Sequence, residues 1–410
     1  MRPNLVALGS RDLRLFFAGQ LVSVIGTWMQ SVALGWLVLT LTGSALWLGI
    51  ATAVRFLPAL VVTLPAGLVA DRHDRRIVLL WTSIVSGVAA AILAILTLGG
   101  WVTIGWVIAI TAIAGAANAF EAPARQALVA ELAGAERRAA AIALNSVIWN
   151  GARVVGPAIA GVGVATIGPG WIFAVNAVSY LAVILAVLLV AHRPAPRLVA
   201  ATGAYRELGR YLRSNPAVTW LLALIGLNTM LASGYLYLGP AVARDLGVGP
   251  DALGLLLSAA GIGAVVAGLR LSVRPSGPAG GPGLVGPAVV TGVVGLAMPL
   301  AASLPVAALL FGLVAVGGVS YNVTTNTRIQ AIVPDRLRGR VMSLYALMLF
   351  GCIPPGSVVL GAIADRIGAL GALAIGAGAW LAIAMPIVIV VGRSRATGDA
   401  PAPASVDSAR

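Results

Sequence analysis

The sequence predicts an all-α membrane protein in which twelve transmembrane helices form two six-helix pseudo-repeats. The first observation is composition: 60% of the 410 residues are hydrophobic and only 10% are charged. Such a chain lacks the polar surface that a soluble domain needs. The second observation is that apolar runs long enough to cross a bilayer, about 20 residues each, recur along the whole chain. The third is a single arginine-rich connector that divides these runs into two sets of six.

The predicted spans are apolar runs bounded by charged residues, glycine or proline. In the first half they cover residues 13–41, 46–70, 77–98, 102–123, 140–165 and 171–192. In the second half they cover residues 217–243, 252–272, 284–303, 305–327, 340–364 and 369–392. We therefore expect six-helix bundles at 1–192 and 217–392, a cytoplasmic linker at 193–216 and a disordered cytoplasmic tail at 393–410.

The basic residues indicate membrane topology rather than nucleic-acid binding. All 27 are arginine, the formal net charge is +14, and they lie between the apolar runs rather than on one soluble face. With the N-terminus in the cytoplasm, the only arginines on the outer side are Arg244 and Arg366, as the positive-inside rule requires. We therefore expect both termini in the cytoplasm, the lipid bilayer as a partner, and no nucleic acid.

Several classes of activity lack the residues that they need. Because the chain has no lysine, it has no Walker A loop for ATP, no pyridoxal Schiff base and no lysine general base. The single cysteine and the two histidines have no metal-type spacing. A membrane enzyme would need His, Asp or Glu clustered at one membrane surface, and the sequence shows no such cluster. We expect no ATP binding, no metal, no cofactor and no enzymatic activity.

The two halves of the chain repeat a weak pattern at matching places. Residues 125–161 contain Arg-Gln-Ala-Leu-Val-Ala-Glu, then an arginine pair, then two glycines. Residues 330–361 contain Gln-Ala-Ile-Val-Pro-Asp, then two arginines, then two glycines. Two six-span repeats separated by a basic loop are the plan of many secondary transporters.

The loop between the second and third predicted spans carries a dense charge pattern. It reads Gly67-Leu-Val-Ala-Asp71-Arg72-His-Asp74-Arg75-Arg76. This pattern resembles the Gly-x-x-x-Asp-Arg-x-Gly-Arg-Arg/Lys loop of the major facilitator superfamily, with Asp74 at the position of the usual glycine. In that family the cytoplasmic loop locks the outward-facing state by bridging the two halves of the protein.

The resemblance implies a conformational gate, in which Asp71 accepts hydrogen bonds at the N-terminus of span eleven. Arg338 and Arg340, just before that span, are the expected ion partners. The alternative is that the arginines of the loop only enforce topology. The expected gate residues are Gly67, Asp71, Arg72, Arg75, Arg76, Arg338 and Arg340.

A small-residue segment in span five resembles the Gly-Pro signature of the antiporter branch of the superfamily. It reads Gly151-Ala-Arg153-Val-Val-Gly156-Pro157-Ala-Ile-Ala-Gly161, with Ala160 departing from the signature. Small residues let helices approach closely and proline bends a helix, so the segment can serve as a rocking surface. The expected helix-packing residues are Gly151, Gly156, Pro157 and Gly161.

Other segments resemble the bacterial branch called transmembrane secretion effectors. They are Gly26-Thr-Trp-Met-Gln30, Leu41-Thr-Gly-Ser44, Asn145 leading into the Gly-Pro segment, and Val333 to Ser343. The resemblance covers nearly all of residues 10–392. It implies a multi-pass protein of the bacterial inner membrane that exports small amphipathic molecules of drug or siderophore type, driven by protons through rocker-switch alternating access. An importer or uncoupled facilitator is one alternative, and a non-transporting scaffold or membrane enzyme is another.

Polar side chains inside the predicted spans are candidates for substrate and proton contacts, because a charge at mid-bilayer costs about 2.5–3.5 kcal/mol. Arg55 and Arg153 lie near mid-depth, where they either attract anionic or oxygen-rich substrates or bind backbone carbonyls at helix breaks. Glu121 is the sole carboxylate within the predicted spans that is suited to proton exchange, and capping a turn at Pro123 is its alternative role. The amide candidates are Gln30, Asn145, Asn150, Asn228, Asn322 and Asn326.

Overall fold

The computed structural model describes residues 9–72, 74–190, 204–273 and 282–393, and this part of the chain contains helices but no strand. Residues 193–203 of the predicted linker and 394–410 of the predicted tail lie outside the described residues. The N-terminal helices are α1 Arg11–Thr42, α2 Ala45–Arg72, α3 Arg75–Leu98, α4 Ile104–Gly134, α5 Glu136–Ile167 and α6 Pro169–Leu189.

The second part of the chain begins with a short helix, α7 Ala204–Ser214, in the predicted linker. The C-terminal helices are α8 Pro216–Leu227, α9 Gly239–Asp245, α10 Pro250–Val273, α11 Val285–Leu296, α12 Leu304–Ile332, α13 Asp335–Gly351, α14 Ile353–Ile367 and α15 Ala369–Arg393.

The spanning helices of the described chain are consistent with the predicted architecture, although they number fewer than twelve. Nine helical segments are long and apolar enough to cross a bilayer, counting α13 with α14 as one. A bent pair, Glu207–Ser214 with Pro216–Ala232, provides a tenth candidate, and two shorter apolar helices are Ala45–Pro58 and Val285–Leu296. Large apolar side chains such as Trp81 and Leu269 are exposed on the surface, as expected where the surrounding solvent is lipid.

Close helix packing within the N-terminal helices depends on small residues. A Cβ on Gly19 of α1 would lie 2.5 Å from the carbonyl oxygen of Ala182 on α6. A Cβ on Gly156 of α5 would lie 2.6 Å from the Cβ of Trp28 on α1. Neither position has room for a side chain, so α1 fits between α5 and α6 because these residues are glycine.

The connection between the fourth and fifth spans differs from the prediction, which ended the fourth span at Pro123 and began the fifth at 140. The structure continues α4 through Pro123 as far as Gly134, and α5 begins immediately afterwards at Glu136. Membrane helices tolerate an internal proline, whereas Gly134 adopts a φ of 65° and a ψ of 177° that end the helical geometry. A turn at Pro123 was therefore the wrong prediction.

Two predicted spans are interrupted rather than continuous. In the seventh, α8 gives way to a π-helical turn at Asn228–Ala232 and a 3-10 turn at Gly234–Leu236. In the eleventh, α13 ends and α14 begins at Cys352, just before two prolines that cannot donate a backbone hydrogen bond. Such breaks are common in transporter helices near the middle of the bilayer.

Candidate substrate pathway and gates

The N-terminal and C-terminal helices meet most extensively through two helix pairs, α2 with α14 and α5 with α10. In the first pair, a Cβ on Gly361 would lie 2.6 Å from the carbonyl oxygen of Ala45. In the second pair, a Cβ on Gly254 would lie 2.6 Å from the carbonyl oxygen of Pro157 and 2.8 Å from the Cα of Gly161. Backbone therefore rests directly on backbone at both surfaces.

The predicted helix-packing residues of α5 divide between different neighbours. Gly156 faces α1, whereas Pro157 and Gly161 face α10 across the boundary between the two helix sets. Gly151 differs from all three, because no atom lies within 4 Å of the position that its Cβ would occupy. Val154, near the start of the segment, also faces α10, because its carbonyl oxygen accepts from the Ser258 hydroxyl at 2.9 Å, so Gly151 alone of the four predicted packing residues has no close neighbour.

An acidic residue at the end of α14 caps the first turn of α2. The Asp365 carboxylate accepts hydrogen bonds from the Ser44 hydroxyl and the Ala45 backbone nitrogen, both at 2.5 Å, and from the Leu46 backbone nitrogen at 3.2 Å. The first amides of a helix have no partner within the helix and carry positive partial charge, so a carboxylate satisfies both needs. We call the end of the bundle that contains this contact the Asp365 end.

A second contact at the Asp365 end involves Arg244 of α9. Its Nη1 donates to the carbonyl oxygen of Gly43 at 2.6 Å, and its Nη2 lies 3.3 Å from a carboxylate oxygen of Asp245. Asp245 in turn accepts a hydrogen bond from the backbone nitrogen of Ala369 at 2.6 Å. The turn between α1 and α2 is thereby tied to α9 and, through Asp245, to the start of α15.

Arg153 also links the two helix sets. Its guanidinium carbon lies 5.8 Å from the ring centroid of Trp28 on α1. It also lies within electrostatic range of Tyr235, a buried residue of the interrupted seventh span. The structure therefore gives Arg153 aromatic partners in place of the backbone carbonyls that we considered.

A small polar cavity lies within the N-terminal helices, and Arg55 of α2 lines it. Arg55 Nη1 donates to the Ser31 hydroxyl at 2.7 Å. Within the described part of the chain, no carboxylate lies at ion-pair distance from Arg55. The other polar lining residues are Thr27, Gln30, Ser86, Thr111, Asn118, Asn176 and Tyr180.

Glu121 lies outside that cavity and has a charged partner on its own helix. Its Oε1 is 3.1 Å from Nη1 of Arg125, and the two side chains are only 15% and 11% exposed. The Arg125 guanidinium carbon also lies 4.4 Å from the ring centroid of Trp149 on α5. The alternative role for Glu121 as the cap of a turn was thus wrong, because the helix continues and an ion pair forms one turn further along.

Amides of the C-terminal helices form a second polar group. Asn228, which is 1% exposed at the start of the π-helical turn, donates from Nδ2 to Oδ1 of Asn322 at 3.1 Å. Its own Oδ1 is buried and has no hydrogen-bond partner among the described residues. The Tyr345 hydroxyl donates to the carbonyl oxygen of Asn322 at 3.0 Å. Asn326 accepts a hydrogen bond from Gln330 at 2.5 Å.

The remaining two amide candidates, Asn145 and Asn150, lie on α5 away from both polar groups. Asn150 is exposed and donates to the carbonyl oxygen of Ser146 at 2.8 Å, one turn earlier in the same helix. The Oδ1 of Asn145 is buried without a hydrogen-bond partner in the described structure. Neither residue lines the Arg55 cavity.

The loop predicted as a gate continues α2 through Gly67 and Asp71 to Arg72, but the side chains of Asp71 and Arg72 lie outside the described part. Asp74 caps α3 by accepting from the backbone nitrogen of Arg76 at 2.9 Å. Two arginines of the loop contact N-terminal helices. Arg75 pairs with Glu131 of α4, and Arg76 donates to the carbonyl oxygen of Leu188 at 2.5 Å.

The two arginines expected as gate partners have acidic partners near their own helix. Arg338 pairs with Asp335 at 2.5 Å. Arg340 pairs with Glu207 of α7 at 3.0 Å. Glu207 also lies 3.4 Å from Arg336, so the linker helix is held against the start of α13 by two ion pairs.

Several residues of these sites were missed by the sequence analysis. Asn118 and Asn176 were detectable, because an amide within an apolar run is itself a signal. Tyr235 and Asp365 were not selected, because their importance depends on partners that are distant in sequence. Arg125 was missed because the fourth span was ended too early.

Comparisons of the sequence with known proteins identify its family. The family profile described as transmembrane secretion effector matches residues 5–403. The staphyloferrin A transporter of Staphylococcus aureus is 27% identical, covering 87% of this chain and 90% of that protein. The multidrug efflux pump Tap of Mycolicibacterium fortuitum is 30% identical, again covering 87% of this chain and 90% of that protein. The enterobactin exporter EntS of Salmonella choleraesuis is 24% identical over 93% of this chain and 92% of that protein.

Solved structures share the fold at low sequence identity. A bacterial homologue of the human lysosomal transporter Spinster, in an inward-facing and unoccupied conformation, has a TM-score of 0.73 and 17% identity, covering 96% of this chain and all of that one. A bacterial homologue of the iron transporter ferroportin, also inward-facing, has a TM-score of 0.72 and 15% identity, covering 93% and 98%. The chain is a multi-pass bacterial membrane transporter, not an enzyme, and it belongs to the transmembrane secretion effector family of the major facilitator superfamily.

Proposed function

We propose that this transporter exports small amphipathic molecules of drug or siderophore type across the bacterial inner membrane, in exchange for protons and without ATP. One observation carries the proposal: backbone-to-backbone contacts and the Asp365 cap join the two helix sets, while a polar cavity lies inside the N-terminal helices. A rocker-switch needs two helix sets that are packed separately and that meet along a shared surface. The efflux and export activities named for the relatives support the outward direction.

The distribution of arginines indicates how the transporter is oriented in the membrane. Under the positive-inside rule both termini are cytoplasmic and the Asp365 end faces outwards. The contacts at Ala45 and Gly43 then close the outer side, so that this conformation is the one that takes up substrate from the cytoplasm. In the opposite conformation, Gly67, Asp71 and Arg72 would meet the start of α13 near Arg338 and Arg340 and close the cytoplasmic side.

Proton exchange is assigned to Glu121 in this proposal. Its side chain is largely buried, and Arg125 is its ion partner. Tyr180 lines the Arg55 cavity and also lies within electrostatic range of both Glu121 and Arg55. Asn228, Asn322 and Asn326 are the proposed contacts on the C-terminal side of the pathway.

A second candidate function, that of an uncoupled facilitator, is favoured by one feature of the Glu121–Arg125 ion pair. Loss of the Glu121 charge would leave Arg125 buried without its counter-charge, which is a costly arrangement in a transport cycle. In that case substrate would move down its own gradient without proton flux.

The experiment uses proteoliposomes of known orientation that contain a pH-sensitive dye. Lipophilic dyes and siderophores are added as substrates, with and without an imposed pH gradient. The control variant is Arg213→Gln, which changes an exposed charged residue of α7. Coupled export predicts proton movement that depends on substrate and is lost in Glu121→Gln. Substrate movement without proton flux would replace the exporter with the facilitator.

A further inference from the structure

We propose that the Arg55 cavity is the subsite for an oxyanion, such as a carboxylate, on the transported molecule. This proposal rests on the proposed function only in naming the site's occupant as a transport substrate. It goes further by assigning a negative charge to the substrate and by naming the side chain that binds that charge.

The first step of the argument compares the buried or partly buried arginines of the N-terminal spans. Arg125 has Glu121 as a counter-charge and stacks on Trp149. Arg153 lies 5.8 Å from the ring centroid of Trp28 and within electrostatic range of Tyr235. Both therefore have partners that account for their burial.

Arg55 is placed differently from these two residues. Its guanidinium carbon lies 5.9 Å from the ring centroid of Phe56, much as Arg153 lies near Trp28. It differs in lining a polar cavity, where its hydrogen-bond partner among the described residues is the neutral Ser31 hydroxyl and no carboxylate lies at ion-pair distance. A guanidinium has five N–H donors, so one hydroxyl leaves most of them available. A cation in a low-dielectric site with spare donors is best satisfied by an anion that brings its own charge.

The second step concerns the rest of the cavity wall, which contains no acidic residue within the described structure. Gln30 and Asn176 are hydrogen-bonded to each other at 2.5 Å, so their amides are already partly used. The Asn118 amide and the Thr111 hydroxyl line the same cavity and can donate to an oxyanion. An acid-free wall with one cation also disfavours cationic molecules, which gives selectivity by charge.

The third step concerns the shape and rigidity of the subsite. Leu34, Leu93 and Ile110 line the same cavity and offer apolar contact beside the cation. Gly115 of α4 lies directly against the backbone of Arg55, in a space that no Cβ would fit, so the position of Arg55 is fixed by helix packing. A fixed guanidinium next to apolar surface suits an amphipathic anion.

The test is equilibrium binding by calorimetry with the full chain in nanodiscs of neutral lipid. The probes are 2-naphthoate and 2-naphthamide, which share a ring system and differ in charge, and empty nanodiscs give the blank. We expect the naphthoate to bind about tenfold more tightly than the amide. In Arg55→Gln that preference should disappear through loss of naphthoate binding alone, whereas Arg55→Lys should retain part of it.

Arg213→Gln, which removes a positive charge from an exposed site, should leave both affinities unchanged. Thermal melting of each variant reports whether the protein is folded, and Arg55→Lys keeps the test informative if Arg55→Gln is unstable. Equal binding of the two probes by the wild-type protein would overturn the proposal, as would a preference that survives in Arg55→Gln. Because binding needs no transport, absence of transport in vesicles would overturn the exporter and leave the subsite standing.

Discussion

The carboxylate of Asp365 accepts a hydrogen bond at 2.5 Å from the backbone nitrogen of Ala45, and this contact joins the end of α14 to the start of α2. The same carboxylate also accepts from the Ser44 hydroxyl and the Leu46 backbone nitrogen, so one side chain satisfies two of the four free backbone donors of a helix N-terminus. This contact also affects the conformational change, because Asp365 and Ala45 belong to different helix sets. In a rocker-switch the two sets must separate at this end.

Removing this cap should open the Asp365 end of the protein. In Asp365→Ala we expect a loss of about 0.5–2 kcal/mol, the usual cost of a helix cap, and a corresponding shift towards the conformation open at this end. Spin labels introduced by W171C and L300C, in a Cys352→Ser background, report the separation by pulsed electron resonance, since both sites are exposed. Asp251→Asn changes an exposed acid at the start of α10 and should leave the distances unchanged. Unaltered distances in Asp365→Ala would show that the cap does not control this end.

Two glycines of α5 should respond differently to the same substitution. In Gly161→Ala the new methyl would meet backbone atoms of Gly254 at 2.8 Å and Pro250 at 2.9 Å, which can move only if α10 moves. We expect destabilisation of about 1–3 kcal/mol, the usual effect of overpacking. Gly151→Ala is the matched control, because no atom lies within 4 Å of its new methyl. Thermal melting in the same detergent gives the comparison, and equal melting temperatures for the two variants would contradict the packing seen here.

The fold was predictable from the sequence because length, apolarity and arginine position are local properties that a bilayer constrains strongly. The helix breaks were less predictable. Pro123 is accommodated inside α4, whereas Gly134 ends that helix, and composition alone does not distinguish a tolerated proline from a glycine that takes positive φ. The π-helical turn beginning at Asn228 has no local signal that separates it from an ordinary apolar helix.

The candidate site was predictable only as a set of polar residues inside spans. Sequence identified Arg55, Arg153 and Glu121 by their charge, but the partners that decide their roles come from other helices or another turn. Arg153 lies within electrostatic range of Tyr235 in the opposite helix set, and Glu121 pairs with Arg125, which lies beyond the predicted end of the fourth span. Pairing of this kind depends on tertiary packing, which hydropathy does not encode.

The Glu121–Arg125 pair allows a structural role to be separated from a role in proton coupling. Glu121→Gln alone leaves Arg125 buried without its counter-charge, and we expect a loss of about 3–5 kcal/mol in stability. The double variant Glu121→Gln with Arg125→Gln removes both charges and should recover most of that loss. Chemical denaturation in detergent measures the stability, and an internal pH dye in proteoliposomes measures proton flux. If Glu121 carries the proton, the double variant will be stable and uncoupled; a stable and still coupled double variant would exclude Glu121.

The contact between Arg153 and Tyr235 decides between a structural and a substrate-binding role for this arginine. In a double-mutant cycle with Arg153→Gln and Tyr235→Phe, we expect a coupling energy of about 0.5–3 kcal/mol, the range for residues that interact directly. The spin-label distances at the Asp365 end should change in the same direction in both single variants, because each breaks the same link between the helix sets.

If the effects on stability are additive, the two side chains do not depend on each other, and Arg153 is then free to contact substrate. In that outcome Arg153→Gln would raise the KM for transport without opening the Asp365 end, whereas Tyr235→Phe would leave the KM unchanged.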